Sequence, residues 1–178
     1  DGYDDVIVGS RLAGAFVFHG SASGLSTTVS WRAQYAAGLF GSAVAGAGDV
    51  NRDGYDDILV GQYGFGSGHE EEGRAYLWLG GAGGLGPDGT LANADWYTPE
   101  LNEAFANLGW SVASAGDVNG DGYADVIVGA PGKDNGTTDE GLVYVFHGSP
   151  TGPSAIADWF GESNLAGSKF GTSVASAG

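Results

Sequence analysis

Two nine-residue stretches of the sequence carry oxygen-bearing side chains at alternate positions, a spacing that suits the binding of a hard cation. Residues 49–57 and 117–125 both place these side chains at positions 1, 3, 5 and 9, with glycine at position 6. Calcium takes about six to eight oxygen ligands, including backbone carbonyls, and glycine permits a sharp turn. We therefore predict two Ca²⁺ sites. Their ligands are Asp49, Asn51, Asp53, the carbonyl of Tyr55, Asp57, Asp117, Asn119, Asp121, the carbonyl of Tyr123 and Asp125.

Other loops of similar sequence fit less well. Helical EF-hand and dockerin-type loops open in the same way but need an acidic ligand at position 12 and a helix after it. Position 12 is Val60 in one loop and Val128 in the other, inside apolar runs that predict strands. Magnesium prefers a smaller octahedral site that retains water, which favours calcium. One alternative stays open, in which the Asp and Asn side chains hydrogen-bond their own backbone in an ordinary turn.

A third, incomplete copy of the loop lies at the start of the sequence. Asp1, Tyr3 and Asp5 align with positions 5, 7 and 9, and no residue of the sequence aligns with positions 1 and 3. We expect this third copy to bind metal weakly unless another chain or segment supplies those two ligands.

Each loop belongs to a unit that occurs three times, over approximately residues 1–48, 49–116 and 117–178. In every unit the loop leads into a β-branched run, then an aromatic strand that ends in glycine, then a tryptophan and a closing segment such as residues 40–48. Four short strands in a unit of about 40–60 residues are typical of a propeller blade. The prediction is an all-β fold, a single β-propeller region over residues 1–178 with three blades of four short antiparallel strands.

The two ends of the sequence complement each other. Residues 175–178 match the stretch that precedes Asp49 and Asp117, so the C-terminal segment is expected to supply the inner strand of the first unit. The termini would then share one blade, which removes an exposed sheet edge. Because three blades are fewer than the usual range of about four to eight, we expect the ring to be completed by self-association with a second copy or by neighbouring blades.

Composition excludes several classes of partner. The net charge is −16 and there is no cysteine, so disulfide stapling is ruled out. Nucleic acid and anionic membrane surfaces need a basic patch, and like charge repels them. No apolar run is long enough to insert into a membrane.

The tryptophans fall into two groups. One group recurs once per unit, which predicts packing between blades, whereas the other does not recur and is a candidate for exposure. The first group is Trp31, Trp96 and Trp159, and the second is Trp78 and Trp110.

No catalytic constellation is visible in the sequence. His19 and His147 align with the apolar Leu79, so strand packing is expected of them. Ser173 is not in a G-x-S-x-G turn and has no apparent triad partners. We therefore predict that the protein is not an enzyme.

The combined motif FG-x-S-V-A-x-A-G-D-x-N-x-D-G-Y-x-D, followed by an apolar run and Val-Gly, resembles the FG-GAP repeat, the blade of the integrin α-subunit propeller. Phe40-Gly41, Phe170-Gly171 and Gly129-Ala130-Pro131 carry the name-giving residues, while Leu108 replaces the phenylalanine of the second copy. The resemblance covers essentially the whole sequence. It implies a β-propeller that holds calcium in the loop between the first and second strands of a blade, on the face opposite the usual ligand surface.

These observations lead to one functional hypothesis and two alternatives. The hypothesis is a calcium-binding, non-catalytic module of the cell surface or extracellular space, which serves adhesion or assembly by binding an unknown protein or glycan. Millimolar extracellular calcium suits loops of modest affinity. The alternatives are a lectin-like propeller that binds carbohydrate, suggested by the tryptophans that do not recur, and an accessory domain of a secreted hydrolase or phospholipase.

Overall fold

The apolar runs of the sequence are β-branched or aromatic, and such side chains pack well on a pleated surface. In the computed structural model, which describes residues 2–178, these runs form eleven strands, and the described residues contain no helix. The strands are β1 (Val6–Ser10), β2 (Gly14–Phe18), β3 (Trp31–Ala33), β4 (Ala43–Gly48), β5 (Asp57–Gln62), β6 (Arg74–Trp78), β7 (Trp96–Tyr97), β8 (Ser111–Gly116), β9 (Asp125–Ala130), β10 (Leu142–Phe146) and β11 (Trp159–Glu162).

The strands form three antiparallel sheets that follow the chain in order, which confirms the all-β prediction. The first sheet contains β1 to β3, the second β4 to β7 and the third β8 to β11, and each strand pairs with its neighbour in sequence. Each four-stranded sheet begins with the closing segment of a sequence unit. The sheets are therefore offset by one strand from the predicted unit boundaries.

The first sheet differs from the prediction, because it has three strands and not four. The segment that aligns with β4 and β8 is residues 170–178, and in the structure this segment lies beside the third sheet. In the structure this segment does not pair with β1, whose described partner is β2 alone. Among the described residues, nothing forms an inner strand for the first sheet, and closure of a ring is not seen.

Neighbouring sheets pack face to face over two apolar cores. The core between the first and second sheets contains Ala15, Val17, Trp31, Ala33, Phe40, Ile58, Val60, Tyr76 and Trp78. The core between the second and third sheets contains Ala47, Val50, Leu59, Ala75, Leu77, Trp96, Leu108, Val112, Val126, Val128, Ala130 and Phe146. These cores fix the sheets side by side, as blades.

The recurring tryptophans join one sheet to the next, as predicted, where a next sheet is present. Trp31 donates its Nε1–H to the carbonyl of Pro87 at 3.0 Å, and Trp96 donates to the carbonyl of Ser154 at 3.0 Å. Both acceptors lie in the loop before the last strand of the following sheet, and the exposed fractions of the two tryptophans are 3% and 9%. Trp159, in the last sheet, is 54% exposed.

Two smaller predictions were wrong. Trp78 is buried, and its ring packs edge-to-face on Trp31 with ring centres 5.6 Å apart and an angle of 65° between the planes. His19 and His147 do not pack on a sheet, because each lies just past the end of a strand beside a carboxylate. Nε2 of His19 is 3.7 Å from Asp5, and Nδ1 of His147 is 3.8 Å from Asp158.

Candidate metal centre

The loop between β4 and β5 folds around its own carboxylates. The N–H of Asp53 donates both to Oδ1 of Asp49 at 3.0 Å and to Oδ1 of Asn51 at 3.2 Å, so these two oxygens lie close together. Oδ2 of Asp49 accepts from Gly54 at 2.8 Å, and Oδ1 of Asp53 accepts from Tyr55 at 3.0 Å. Positions 1, 3 and 5 therefore turn their oxygens toward the inside of the loop.

Position 9 is anchored separately, at the start of β5. Asp57 is fully buried, and its two carboxylate oxygens accept from different segments. Oδ2 accepts from the N–H of Val50 at 2.8 Å, and Oδ1 accepts from the N–H of Gly80 at 2.7 Å. Asp57 thus ties the loop to the turn that follows β6.

The loop between β8 and β9 repeats this arrangement. Asp121 donates its N–H to Asp117 at 3.1 Å and to Asn119 at 3.0 Å, and Tyr123 donates to Asp121 at 3.0 Å. The buried Asp125 accepts from Val118 and from Gly148, at 2.8 Å in both cases. Two independent stretches of sequence therefore adopt the same hydrogen-bonded loop.

Glycine at position 6 has the role that the sequence predicted. Gly54 and Gly122 adopt φ angles of 93° and 90°, a left-handed conformation that costs glycine little and other residues more. The N–H of each glycine is thereby turned back toward the carboxylate at position 1.

The first of the two loops concentrates negative charge around a buried acid. The pKa of Asp57 is raised from 3.8 to about 6. Burial is the largest cause and repulsion from Asp53 and Asp49 adds to it, while the N–H donors of Gly80 and Val50 act in the opposite direction. A cation between these carboxylates would remove the repulsion.

In the second loop the carboxylate with a shifted pKa is the one at position 1, and the shift is in the opposite direction. The pKa of Asp117 is lowered, mainly because its carboxylate accepts from the N–H of Gly122. A smaller contribution comes from Arg52, whose guanidinium crosses from the first loop and lies 5.9 Å from the centre of the Tyr123 ring. The two loops are also joined directly, since Ala124 donates its N–H to the carbonyl of Asp49 at 3.0 Å.

The structure does not by itself form a closed metal site. Within residues 2–178, no group of three or more His, Cys, Asp or Glu side chains is gathered closely enough to hold a metal ion. Asp49, Asn51, Asp53 and Asp57 are brought into one loop, but Asp53 is exposed at the surface while Asp57 is buried beneath it. Metal binding by these residues therefore stays a prediction.

The incomplete first copy retains one of the two anchors of position 9. Oδ1 of Asp5 accepts from the N–H of Gly20 at 3.0 Å, as Asp57 does from Gly80. Tyr3 lies at position 7, at the rim of a cavity of about 710 Å³ between the first and second sheets. Asp1 lies outside the described residues, so its predicted role as a ligand has no structural counterpart.

Two buried glutamates were missed by the sequence analysis. Glu72 and Glu140 each precede a glycine at the start of the third strand of a sheet, and both are fully buried. Glu140 accepts from the N–H groups of Asn135 at 2.6 Å and Thr137 at 3.2 Å, and Glu72 accepts from the N–H of Asn102. The sequence signal that could have revealed these glutamates is the Glu-Gly pair, which occurs at both positions. The two glutamates hold loops at the end of the sheets opposite the carboxylate loops.

Comparison with known proteins identifies the repeats. The FG-GAP repeat family model matches residues 40–78 and 108–146, which in both cases cover the inner strand, the carboxylate loop and the next two strands. The chain belongs to the FG-GAP repeat family. The matched FG-GAP segments begin at Phe40 and Leu108, so they follow the boundaries of the sheets and confirm the offset described above.

The relatives of this FG-GAP chain include integrin alpha proteins and a phospholipase D. It is 37% identical to integrin alpha-PS2 of Drosophila melanogaster over 124 residues, which is 65% of this chain and 8% of the relative. It is 36% identical to integrin alpha-8 of Mus musculus over 149 residues, which is 78% of this chain and 13% of the relative. It is 33% identical to phosphatidylinositol-glycan-specific phospholipase D of Homo sapiens over 115 residues, 64% of this chain and 13% of the relative. The chain thus spans about a tenth of the length of these curated relatives.

Proposed function

We propose that this FG-GAP chain is a calcium-binding, non-catalytic propeller module, which acts at the cell surface or outside the cell by binding another protein. The integrin α-like sequence supports an adhesion-type module. Among residues 2–178, no helix is long and apolar enough to span a bilayer.

The observation that carries the proposal is the matched geometry of loops 49–57 and 117–125. Ordinary Asx turns account for the bonds to the oxygens at positions 3 and 5. They do not require the carboxylate at position 1 or the buried carboxylate at position 9, which both loops also contain. The cost of crowding these carboxylates is offset if a cation is bound between them. Three carboxylates and one amide oxygen per loop are the donor set that calcium prefers.

Calcium held by Asp49, Asn51, Asp53 and Asp57 would supply positive charge that offsets the repulsion between these carboxylates. The chain's own part is to hold these groups in place. Asp57 is fixed by the N–H groups of Val50 and Gly80, and Gly54 closes the turn. The benefit to the fold is a rigid link between the inner strand and the second strand of each blade.

Calcium is expected to raise the melting temperature by about 10 °C. With about 2 mM free calcium and a dissociation constant of about 10⁻⁴ M, binding adds about 1.8 kcal/mol per site, and two sites shift the melting temperature by about 2–4 °C per kcal/mol. The measurement is thermal unfolding followed by circular dichroism, with calcium, with EDTA and with magnesium at equal ionic strength. Identical curves with calcium and with EDTA would contradict the proposal, and an equal shift with magnesium would contradict the choice of ion.

A second candidate is carbohydrate binding. Trp110 is exposed and packs against Tyr63 with ring centres 4.5 Å apart and the ring planes tilted by 45°, which makes an aromatic surface of the kind on which sugar rings pack. Titration of a panel of monosaccharides, followed by tryptophan fluorescence, tests this candidate. If this protein binds carbohydrate at Trp110, the titration produces a saturable change in fluorescence that is lost in the Trp110→Ala variant and kept in the Trp159→Ala variant.

A third candidate, an accessory domain of a secreted hydrolase, is favoured by the phospholipase D relative alone. In that case the reacting groups would come from residues outside this chain. The calcium measurement above does not separate this candidate from an adhesion module, since both would use the same loops.

A further inference from the structure

Two Asn-Gly pairs occur in the sequence, Asn119-Gly120 and Asn135-Gly136. Such a pair is chemically labile, because the backbone nitrogen after the asparagine can attack the side-chain amide and glycine has no Cβ to hinder the attack. In a folded protein the reaction depends on how firmly the reacting groups are held. The structure holds the two pairs very differently.

The first pair lies in the carboxylate loop between β8 and β9, where each of the reacting groups is hydrogen-bonded. The N–H of Gly120 donates to Oδ1 of Asp117 at 2.7 Å. Oδ1 of Asn119 accepts from the N–H of Asp121 at 3.0 Å, and Nδ2 of Asn119 donates to Oδ2 of Asp121 at 2.9 Å. The nitrogen that would attack and both ends of the amide are therefore fixed.

The second pair lies at the tip of the loop between β9 and β10. Asn135 and Gly136 are exposed, and nothing lies within 4 Å of the position that a Cβ on Gly136 would take. Within residues 2–178, the N–H of Gly136 donates to no acceptor and Oδ1 of Asn135 accepts from no donor. The side-chain amide is held only through Nδ2, which donates to Oε2 of Glu162 at 2.6 Å. The nitrogen that would attack is thus unengaged.

The loop is anchored on both sides of this peptide but not at it. The buried carboxylate of Glu140 accepts from the N–H of Asn135 at 2.6 Å and from the N–H of Thr137 at 3.2 Å. Gly136 lies between these anchors with a φ angle of 115°, in the region that favours glycine. The peptide that joins Asn135 to Gly136 makes no hydrogen bond of its own within the described chain, so its orientation depends on the two anchors alone.

The exposure of this loop tip is a property of the blade. The loop between β5 and β6 has the same length and aligns Ser67-Gly68 with Asn135-Gly136. Ser67-Gly68 is exposed as well, although the third sheet packs beside the second. The hydroxyl of Ser67 donates to Oε1 of Glu100 at 2.6 Å, which is the counterpart of the bond made by Asn135. Both loops are thus tied to a glutamate in or just after the outer strand, and only the third sheet uses an asparagine to do so.

We propose that Asn135 is a site of spontaneous deamidation and that Asn119 is not. The backbone nitrogen of Gly136 forms a bond to Cγ of Asn135, and the bond from Cγ to Nδ2 breaks. Ammonia leaves with the proton that the Gly136 nitrogen gives up, and a succinimide ring remains. Water then opens the ring at either carbonyl, which gives aspartate or isoaspartate. Water is consumed and ammonia is released, with no oxidation or reduction.

The product changes how the loop is held. A carboxylate in place of the amide has no N–H to donate to Glu162, and two carboxylates at that separation repel each other. Isoaspartate also lengthens the backbone by a methylene group, next to the bond that ties residue 135 to Glu140. The loop tip is therefore released from β11, at the end of the third sheet opposite the carboxylate loops. None of these steps involves calcium, so the site is independent of the proposed function.

Peptide mapping by mass spectrometry tests both parts of the proposal. The purified chain is kept folded at physiological temperature in mildly alkaline buffer, and each Asn-Gly peptide is followed over time for the mass gain that accompanies loss of the amide. Asn135 is expected to deamidate at least about ten times faster than Asn119, because the Gly120 N–H must first leave a charged acceptor. In guanidinium chloride, where neither loop is folded, the two pairs are expected to react at similar rates. A folded chain that deamidates at Asn119 as fast as at Asn135, or that leaves Asn135 intact, would overturn the proposal.

Asn135→Ser is the matched variant, since it copies the residue that the second sheet already uses at this place. The variant is expected to lose the deamidation of this loop and to keep the melting temperature of the parent in circular dichroism. Asn135→Asp carries the aspartate product from the start, and a protease of broad specificity is expected to cut its loop 131–141 several times faster than that of Asn135→Ser. Equal cleavage of the two variants would overturn the release of the loop.

Discussion

Replacing Asp57 with alanine is expected to lower the melting temperature by about 10 °C even when no calcium is present. The carboxylate of Asp57 is fully buried and accepts from the N–H groups of Val50 and Gly80. Alanine leaves both donors without an acceptor, and each lost bond to a charged group costs about 1.5–3 kcal/mol. Part of this cost is regained, because the burial that raises the pKa of Asp57 no longer opposes folding. A net loss of about 2–4 kcal/mol corresponds to the stated shift at about 2–4 °C per kcal/mol.

The Asp53→Ala variant distinguishes the contribution of calcium binding from the stability of the calcium-free fold. Asp53 is exposed, and its oxygens accept from Tyr55 and from the amide of Asn51 within the same loop. Its loss is therefore expected to lower the melting temperature in EDTA by only about 2–4 °C, since two exposed bonds near the lower bound of about 0.5 kcal/mol each correspond to about 1 kcal/mol at about 2–4 °C per kcal/mol. In calcium the same variant is expected to lose about half of the calcium-induced rise, because one of two sites is removed.

Asp56→Ala is the matched control, since Asp56 is an exposed carboxylate one residue before Asp57 and aligns with Ala124 in the second loop. It is expected to keep the full calcium response in thermal unfolding followed by circular dichroism. If all three variants responded equally to calcium, the oxygens at positions 5 and 9 would not be ligands. If Asp57→Ala unfolded like the parent in EDTA, the buried carboxylate would not be the anchor described here.

Much of the fold could be predicted because the chain repeats. The runs Val6-Ile7-Val8, Ile58-Leu59-Val60 and Val126-Ile127-Val128 are each bounded by Asp and Gly. They are β-branched and too short for a helix, and all three form second or edge strands of sheets. The turn at position 6 and the inter-blade positions of Trp31 and Trp96 were predictable for the same reason, since a repeated residue has a repeated environment.

The parts that could not be predicted depend on what lies next to a residue in space. Trp159 matches Trp31 and Trp96 in sequence but is exposed, because no fourth sheet follows it among the described residues. Trp78 does not recur in the sequence, yet it is buried, because the second sheet is covered on both faces. The N–H donors of Val50 and Gly80, which anchor Asp57, are backbone groups and carry no signal in side-chain type.

Glycine is required at several positions of the motif for the same reason, which is that two backbone segments are in contact there. Gly61 lies in β5, and the carbonyl of Gly109 is 2.0 Å from the position that a Cβ on Gly61 would take. Gly109 in turn donates its N–H to the carbonyl of Gly129 in the third sheet at 3.0 Å. Gly41 makes the equivalent bond to Gly61 at 3.0 Å. Each glycine that follows Phe or Leu in the motif therefore lies between two successive sheets, where there is no room for a side chain.

Gly61→Ala is accordingly expected to destabilise the protein by about 3 kcal/mol, near the upper end of the cost of overpacking, because the atom in the way is a backbone carbonyl that cannot rotate aside. The melting temperature in EDTA should fall by about 6–12 °C at about 2–4 °C per kcal/mol. Gly46→Ala, in the paired strand β4, is the control. No atom lies within 4 Å of the Cβ position of Gly46, and the aligned residue of β8 is Ser114, which already carries a Cβ. Its melting temperature is expected to match or slightly exceed that of the parent, and equal losses in the two variants would show that backbone contact between sheets is not what the Gly61 position requires.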